Sequence, residues 1–139
     1  MTHDLTRAVA LLNEQDYTCV LVKGDTVLTS RERGVKPLMA FLAEGVSLVG
    51  FSAADKVVGK ATALLYALLG AERVYARVAS EPAAEVLCTH GIPLEADTVV
   101  PAIRNRVGTG FCPMEQATRD ITDPKDAPRA IKNALEQLK

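Results

Sequence analysis

The stretch Asp55-Lys56-Val57-Val58-Gly59-Lys60-Ala61-Thr62-Ala63-Leu64-Leu65-Tyr66-Ala67-Leu68-Leu69-Gly70 decides how this chain is read. Val57, Val58, Ala61, Leu64, Leu65, Leu68 and Leu69 recur at helical spacing, which predicts a helix over 55–70. Gly59, Ala63 and Ala67 follow at intervals of four and form a small-residue ridge that lets a neighbouring element approach closely. No charge occurs from Ala61 to Ala71, so this helix should be buried nearly all round. Its charges, Asp55, Lys56 and Lys60, fall in its first turns, where a preceding strand delivers it. Crevices beyond the carboxyl ends of strands are where open α/β sheets usually bind ligands.

Working outward, Val46–Phe51 is an apolar run bounded by Gly45 and Ser52-Ala53-Ala54, which predicts a buried strand feeding that helix. Before it, Val35–Glu44 reads as a short helix with Pro37 in its first turn. Tyr17–Val22 and Thr26–Ser30 are β-branched runs joined by Lys23-Gly24-Asp25, an antiparallel hairpin. Asp4–Gln15 places Leu5, Ala8, Val9, Leu11 and Leu12 on one helical face. Downstream, Val74–Ala79 and Thr98–Ile103 predict strands. Between them, Pro82–His90 is a helix capped by Ser80 in front and Gly91 behind. Pro113–Ile121 and Ala127–Leu138 are the last helices. Helices alternating with strands in this way imply an α/β protein with helices on both sheet faces.

Composition narrows the function classes. The chain has 139 residues, 48% hydrophobic and 24% charged, which is one domain's worth of core and excludes disorder. Sixteen basic against seventeen acidic side chains give a net charge of −1, and aromatics are 4%, so neither an overall basic field nor stacking platforms point to nucleic acid. Three cysteines, Cys19, Cys88 and Cys112, make no Cys-x-x-Cys pair, and His3 and His90 lie outside metal-ligand spacings. No disulfide framework, structural zinc or cofactor is expected. The polar N-terminus and the lack of a long apolar run predict a cytoplasmic protein with no membrane segment.

Chemistry-bearing residues gather at the predicted element ends. Lys56 and Lys60, one turn apart, should share a face at a helix N-terminus, where cations are unfavourable unless an anion or carboxylate sits nearby. The same segment departs from a phosphate-binding loop, with Ala54 at the first glycine position and Ala61 in place of the Ser or Thr that would hold magnesium. Arg33-Gly34-Val35-Lys36-Pro37 is a basic loop onto a helix N-terminus, and Arg33 and Lys36 suit an anion there. Asn105 and Arg106, with Arg104, leave the last strand and offer fork geometry for phosphate or carboxylate. Cys112 before Pro113 would cap a helix, where the dipole favours thiolate, and Glu115 lies within the same turn. Each of these has a bland counterpart: solvated lysines, a capping glutamate, a buried thiol. Ser80 is most simply an N-cap and His90 a helix C-terminal residue.

The succession Arg33-Gly34-Val35-Lys36-Pro37-Leu38, Ala54-Asp55-Lys56-Val57-Val58-Gly59-Lys60-Ala61, Val74-Tyr75-Ala76, Asn105-Arg106 and Cys112-Pro113-Met114-Glu115 resembles a small prokaryotic family of uncharacterised proteins with a cytidine-deaminase-like fold. The resemblance runs from about Cys19 to about Ile121. It implies a three-layer α/β/α sandwich around a mixed sheet of about five strands, with a ligand crevice at the N-termini of two central helices. Deaminases place a His/Cys-Ala-Glu motif at the first of these and Pro-Cys-x-x-Cys at the second, and hold Zn²⁺ between them. The corresponding positions, near Asp55-Lys56 and Ser80–Ala84, carry none of the metal ligands, so zinc-dependent deamination does not carry over.

The expectation is therefore a metal-free site for a small phosphorylated or carboxylated metabolite, a class that includes nucleotides. Arg33, Lys36, Lys56, Lys60, Ser80, Asn105 and Arg106 would bind it. Asp55 and Glu115 would carry protons, with Cys112 the nucleophile for any covalent step. The competing expectation is a non-catalytic binding or assembly module, which would form a homo-oligomer.

Overall fold

The structure is a computed structural model, which describes residues 2–103 and 113–137. Helix α1 (His3–Glu14) starts at Thr2, whose side chain accepts from the Leu5 N–H, and buries Leu5, Ala8 and Leu12. Strands β1 (Cys19–Lys23) and β2 (Thr26–Ser30) form the expected hairpin, with Lys23 opposite Thr26 and Gly24 at φ +57° opening a two-residue loop. Helix α2 (Lys36–Ala43) follows, with Pro37 in its first turn.

The decisive stretch departs from its reading. The strand is β3 (Ser52–Val58), and helix α3 (Lys60–Leu69) begins only after Gly59. Val46–Phe51 is not a strand: apart from one bridge between Val49 and Ala71, it turns through Gly50 at φ +83° and sends Leu48 and Phe51 into the core. A central strand with both faces covered has no polar alternation. Val57 and Val58 therefore fit the helical spacing of the residues that follow, although their branched side chains favour a strand. Gly70 ends α3 at φ +87°.

Strand β4 (Arg73–Ser80) and helix α4 (Glu81–Thr89) lie close to expectation, with the Ser80 hydroxyl accepting from the Ala83 N–H at 3.1 Å and His90 at the C-terminal end. The last strand, β5 (Leu94–Val100), runs earlier than expected. Its ladder with β4 opens at Leu94 opposite Val74, and Pro101, which has no N–H, follows its end. Helix α5 (Pro113–Ala117) is shorter than the expected 113–121, and α6 (Ala127–Gln137) closes the described chain.

The five strands form one mixed sheet in the order β2-β1-β3-β4-β5, with β1 antiparallel to both its neighbours and β3, β4 and β5 parallel. One face packs α1 against Val20, Val22, Ala54 and Tyr75. The other carries the larger core, built on α3 and joined by α4 and α6. This is an α/β sandwich with helices on both faces. Because β1 is reversed, the ends of β2, β3, β4 and β5 and the start of β1 share one sheet edge. Among the described residues, no helix is long and apolar enough to cross a membrane.

Candidate functional site

That edge opens into a cleft of about 410 Å³ lined by Asp16, Thr18, Arg31, Arg33, Gly34, Asp55, Lys56 and Val57. Asp55 is only 7% exposed. Its Oδ2 accepts the Tyr66 hydroxyl at 2.8 Å, and the Cys19 thiol lies 3.4 Å from the same hydroxyl. Burial pushes the Asp55 carboxyl up to about 7, opposed by the Tyr66 hydroxyl and the neighbouring N–H groups of Val57 and Lys56. Burial also raises the Cys19 thiol and the Tyr66 phenol, and the Asp55 charge adds to both. The result is a buried acid with a raised carboxyl among the residues that line the cleft.

The cations stand apart from it. Lys56 Nζ is 3.5 Å from Asp16 Oδ1, an exposed and therefore weak pair. The Arg31 guanidinium lies 4.6 Å from the centre of the Tyr17 ring. Arg33 is exposed, in the loop before α2.

A second cavity of about 340 Å³ lies farther along the edge, lined by Lys60, Pro82, Pro101, Ala102, Glu115, Gln116 and Arg119. Here the Glu115 carboxylate accepts the Lys60 backbone N–H in a close contact and covers the start of α3. The Ser80 hydroxyl is a second donor to it. Burial raises the Glu115 carboxyl above its usual value, opposed by the Lys60 N–H, the Ser80 hydroxyl and the Lys60 ammonium. Lys60 Nζ itself donates to the Arg119 carbonyl at 2.7 Å. A small cavity of about 70 Å³ touches Gly34 and Val57 of the first region and Glu115 of the second.

The structure thus sorts the residues singled out by sequence. Asp55, Lys56 and Arg33 line one cleft, while Lys60, Ser80 and Glu115 meet at the starts of α3 and α4. Lys56 and Lys60 do not share a helical face, because Lys56 belongs to β3 and Lys60 is the first residue of α3. Lys36 is exposed at the start of α2 and lines none of these cavities. Asn105, Arg106 and Cys112 fall outside the described residues. Sequence reasoning singled out neither Tyr66 nor Cys19 as a site residue. The available signal was an aromatic hydroxyl on an otherwise aliphatic helix, since a buried tyrosine needs a partner for its O–H.

The correspondence with the deaminase positions also shifts. The first central helix starts at Gly59-Lys60-Ala61 rather than Asp55-Lys56, and the second at Ser80-Glu81-Pro82. Neither start carries His or Cys. Among the described residues, no three His, Cys, Asp or Glu side chains gather as a metal site, so the donor set does not fit zinc.

No curated protein matches the chain. Its structure is similar to a crystal structure of a DUF1893 family protein from Thermotoga maritima, with TM-score 0.87, 25% sequence identity, and coverage of 96% of this chain and 91% of that one. The family model described as "Domain of unknown function (DUF1893)" matches residues 7–135. The chain belongs to the DUF1893 family.

Proposed function

We propose that the protein binds a small anionic metabolite, phosphorylated or carboxylated, in the cleft between the loop that follows β2 and the end of β3. The observation that carries this reading is the cleft of about 410 Å³ that Arg31, Arg33 and Lys56 line together with a buried Asp55. That volume lies within the ordinary range for small-ligand sites, and the position is the carboxyl-end crevice that α/β sheets offer. Arg33 and Lys56 neutralise the anion. Asp55, with a carboxyl at about 7, is the group suited to exchange a proton with the ligand. Lys60, Ser80 and Glu115 form the adjoining wall, and the cytidine-deaminase-like label belongs to the same reading, supported by two central helices that start on one edge.

Calorimetric titration with phosphate monoesters and short dicarboxylates tests it. Arg33→Ala or Lys56→Ala should weaken binding at least about tenfold, as expected for loss of a charge-assisted hydrogen bond. Stability should change by less than about 1 kcal/mol, because the Lys56–Asp16 pair is exposed. Unchanged affinity in both variants would remove the cleft from the account.

One observation favours a second reading, an assembly module. Among the described residues β5 is an edge strand with Val99 51% exposed, a template for pairing with a second copy. Light scattering showing a monomer at high concentration would discard it.

A further inference from the structure

The cleft is charged in two layers, which says more about its ligand than net charge does. Asp55 lies at the bottom, 7% exposed, with one oxygen held by Tyr66. Arg31, Arg33 and Lys56 line the same cleft, yet none of them pairs with Asp55 within 4 Å; the ion pair seen there is Lys56 with Asp16. The cations are therefore not spent on the buried carboxyl, and the carboxyl is not neutralised by them. A bare anion pushed to the bottom would face a carboxylate, and like charges brought together in a desolvated site repel strongly. A ligand that brings its own N–H donor to Asp55 while its anionic group stays with the cations satisfies both layers at once.

Resting on the binding reading above, we propose that the natural ligand class is zwitterionic: a phosphate or carboxylate for Arg33 and Lys56, joined by a short linker to an amino group that docks on Asp55. Asp55 is then the residue that sets specificity. The buried pair with Tyr66 holds its carboxyl in place, so little ordering is left to be done when the ligand arrives.

The test uses the full chain and two probes of equal size at pH 8, O-phosphoethanolamine and propyl phosphate, which differ by an ammonium in place of a methyl. The wild-type protein should bind O-phosphoethanolamine at least about tenfold more tightly, the scale of one hydrogen bond to a charged group. Asp55→Asn should erase that preference, and Lys56→Ala should weaken both probes by the same factor. Equal binding of the two probes by the wild type would overturn the zwitterion proposal and leave the anion reading standing. A preference that survives Asp55→Asn would overturn it as well, by removing Asp55 from specificity. Binding of neither probe, with other phosphates and carboxylates also silent, would overturn both readings.

Discussion

Replacing Asp55 by Asn should stabilise the protein above neutral pH and change the slope of its stability against pH. The ordinary carboxyl value of 3.8 applies to the unfolded chain, whereas burial raises Asp55 to about 7 in the folded one. Between those values the native state holds a proton that the unfolded state has released. Native protein then binds more protons, and stability falls as pH rises through this window. At about 1.4 kcal/mol per tenfold change in proton affinity, the whole window is worth on the order of 4 kcal/mol. Roughly 3 kcal/mol of it lies between pH 5 and pH 8. The side chains in contact with Asp55 are Tyr66 from α3 and, through it, Cys19 from β1, and burial raises both groups away from that interval, while Asp16, Arg31, Arg33 and Lys56 share its cleft. Asp55→Asn keeps the shape and still accepts the Tyr66 hydroxyl, but it cannot ionise. Urea unfolding followed by circular dichroism at pH 5 and pH 8 provides the comparison. With a slope of about 2 kcal/mol per molar urea, the variant's midpoint should gain about 1.5 M on wild type from the lower pH to the higher. Other carboxylates contribute equally to both proteins and cancel. Two pH profiles that run parallel would refute the reasoning, because Asp55 would then ionise alike in both states.

The remaining predictions concern the same edge. Gly59→Ala would place a Cβ against the Glu115 carboxylate and 3.3 Å from Ile103, so it should cost about 1–3 kcal/mol, as overpacking does. In a double-mutant cycle with Glu115→Ala most of that loss should disappear; additive losses would contradict the contact. Ser80→Ala removes the α4 cap at a fully buried position and should cost about 1 kcal/mol in thermal or urea unfolding. Tyr66→Phe withdraws a donor that holds the Asp55 carboxyl down, so the midpoint of the Asp55 titration, followed by carboxyl carbon NMR, should move above 7. A midpoint that stayed in place would show that the hydroxyl does not bond to the carboxylate.

What was legible in the sequence follows from how each element is exposed. Helix α1, the β1–β2 hairpin and α4 carry caps, a turn glycine and one-sided apolar faces, which are local signals that tertiary packing reinforces. Strand β3 gives no such signal. It is buried on both faces from Ser52 to Asp55, and its Val57 and Val58 fall into phase with the α3 residues beyond Gly59. The boundary between strand and helix is therefore set by packing and by Gly59, which leaves room for Glu115. The candidate site shows the same division. Asp55, Lys56 and Arg33 stood out as charges beside apolar runs, and they do line one cleft. The route differed from the expected one, since Asp55 and Lys56 come from a strand end and not a helix start. Tyr66 offered its hydroxyl on an aliphatic helix as a signal, but the partner of that hydroxyl was not legible, because the contact with Asp55 joins α3 back to β3 and depends on the fold.

The most direct test of the central claim is a heteronuclear NMR titration of the full chain with O-phosphoethanolamine at pH 8. Saturable shifts are expected at the backbone amides of Thr18, Gly34, Asp55, Lys56 and Val57, which line the cleft, with saturation at least about tenfold weaker on Lys56→Ala. Saturable shifts confined to Lys60, Ser80 and Glu115, or no saturable shift with any small anion, would contradict it.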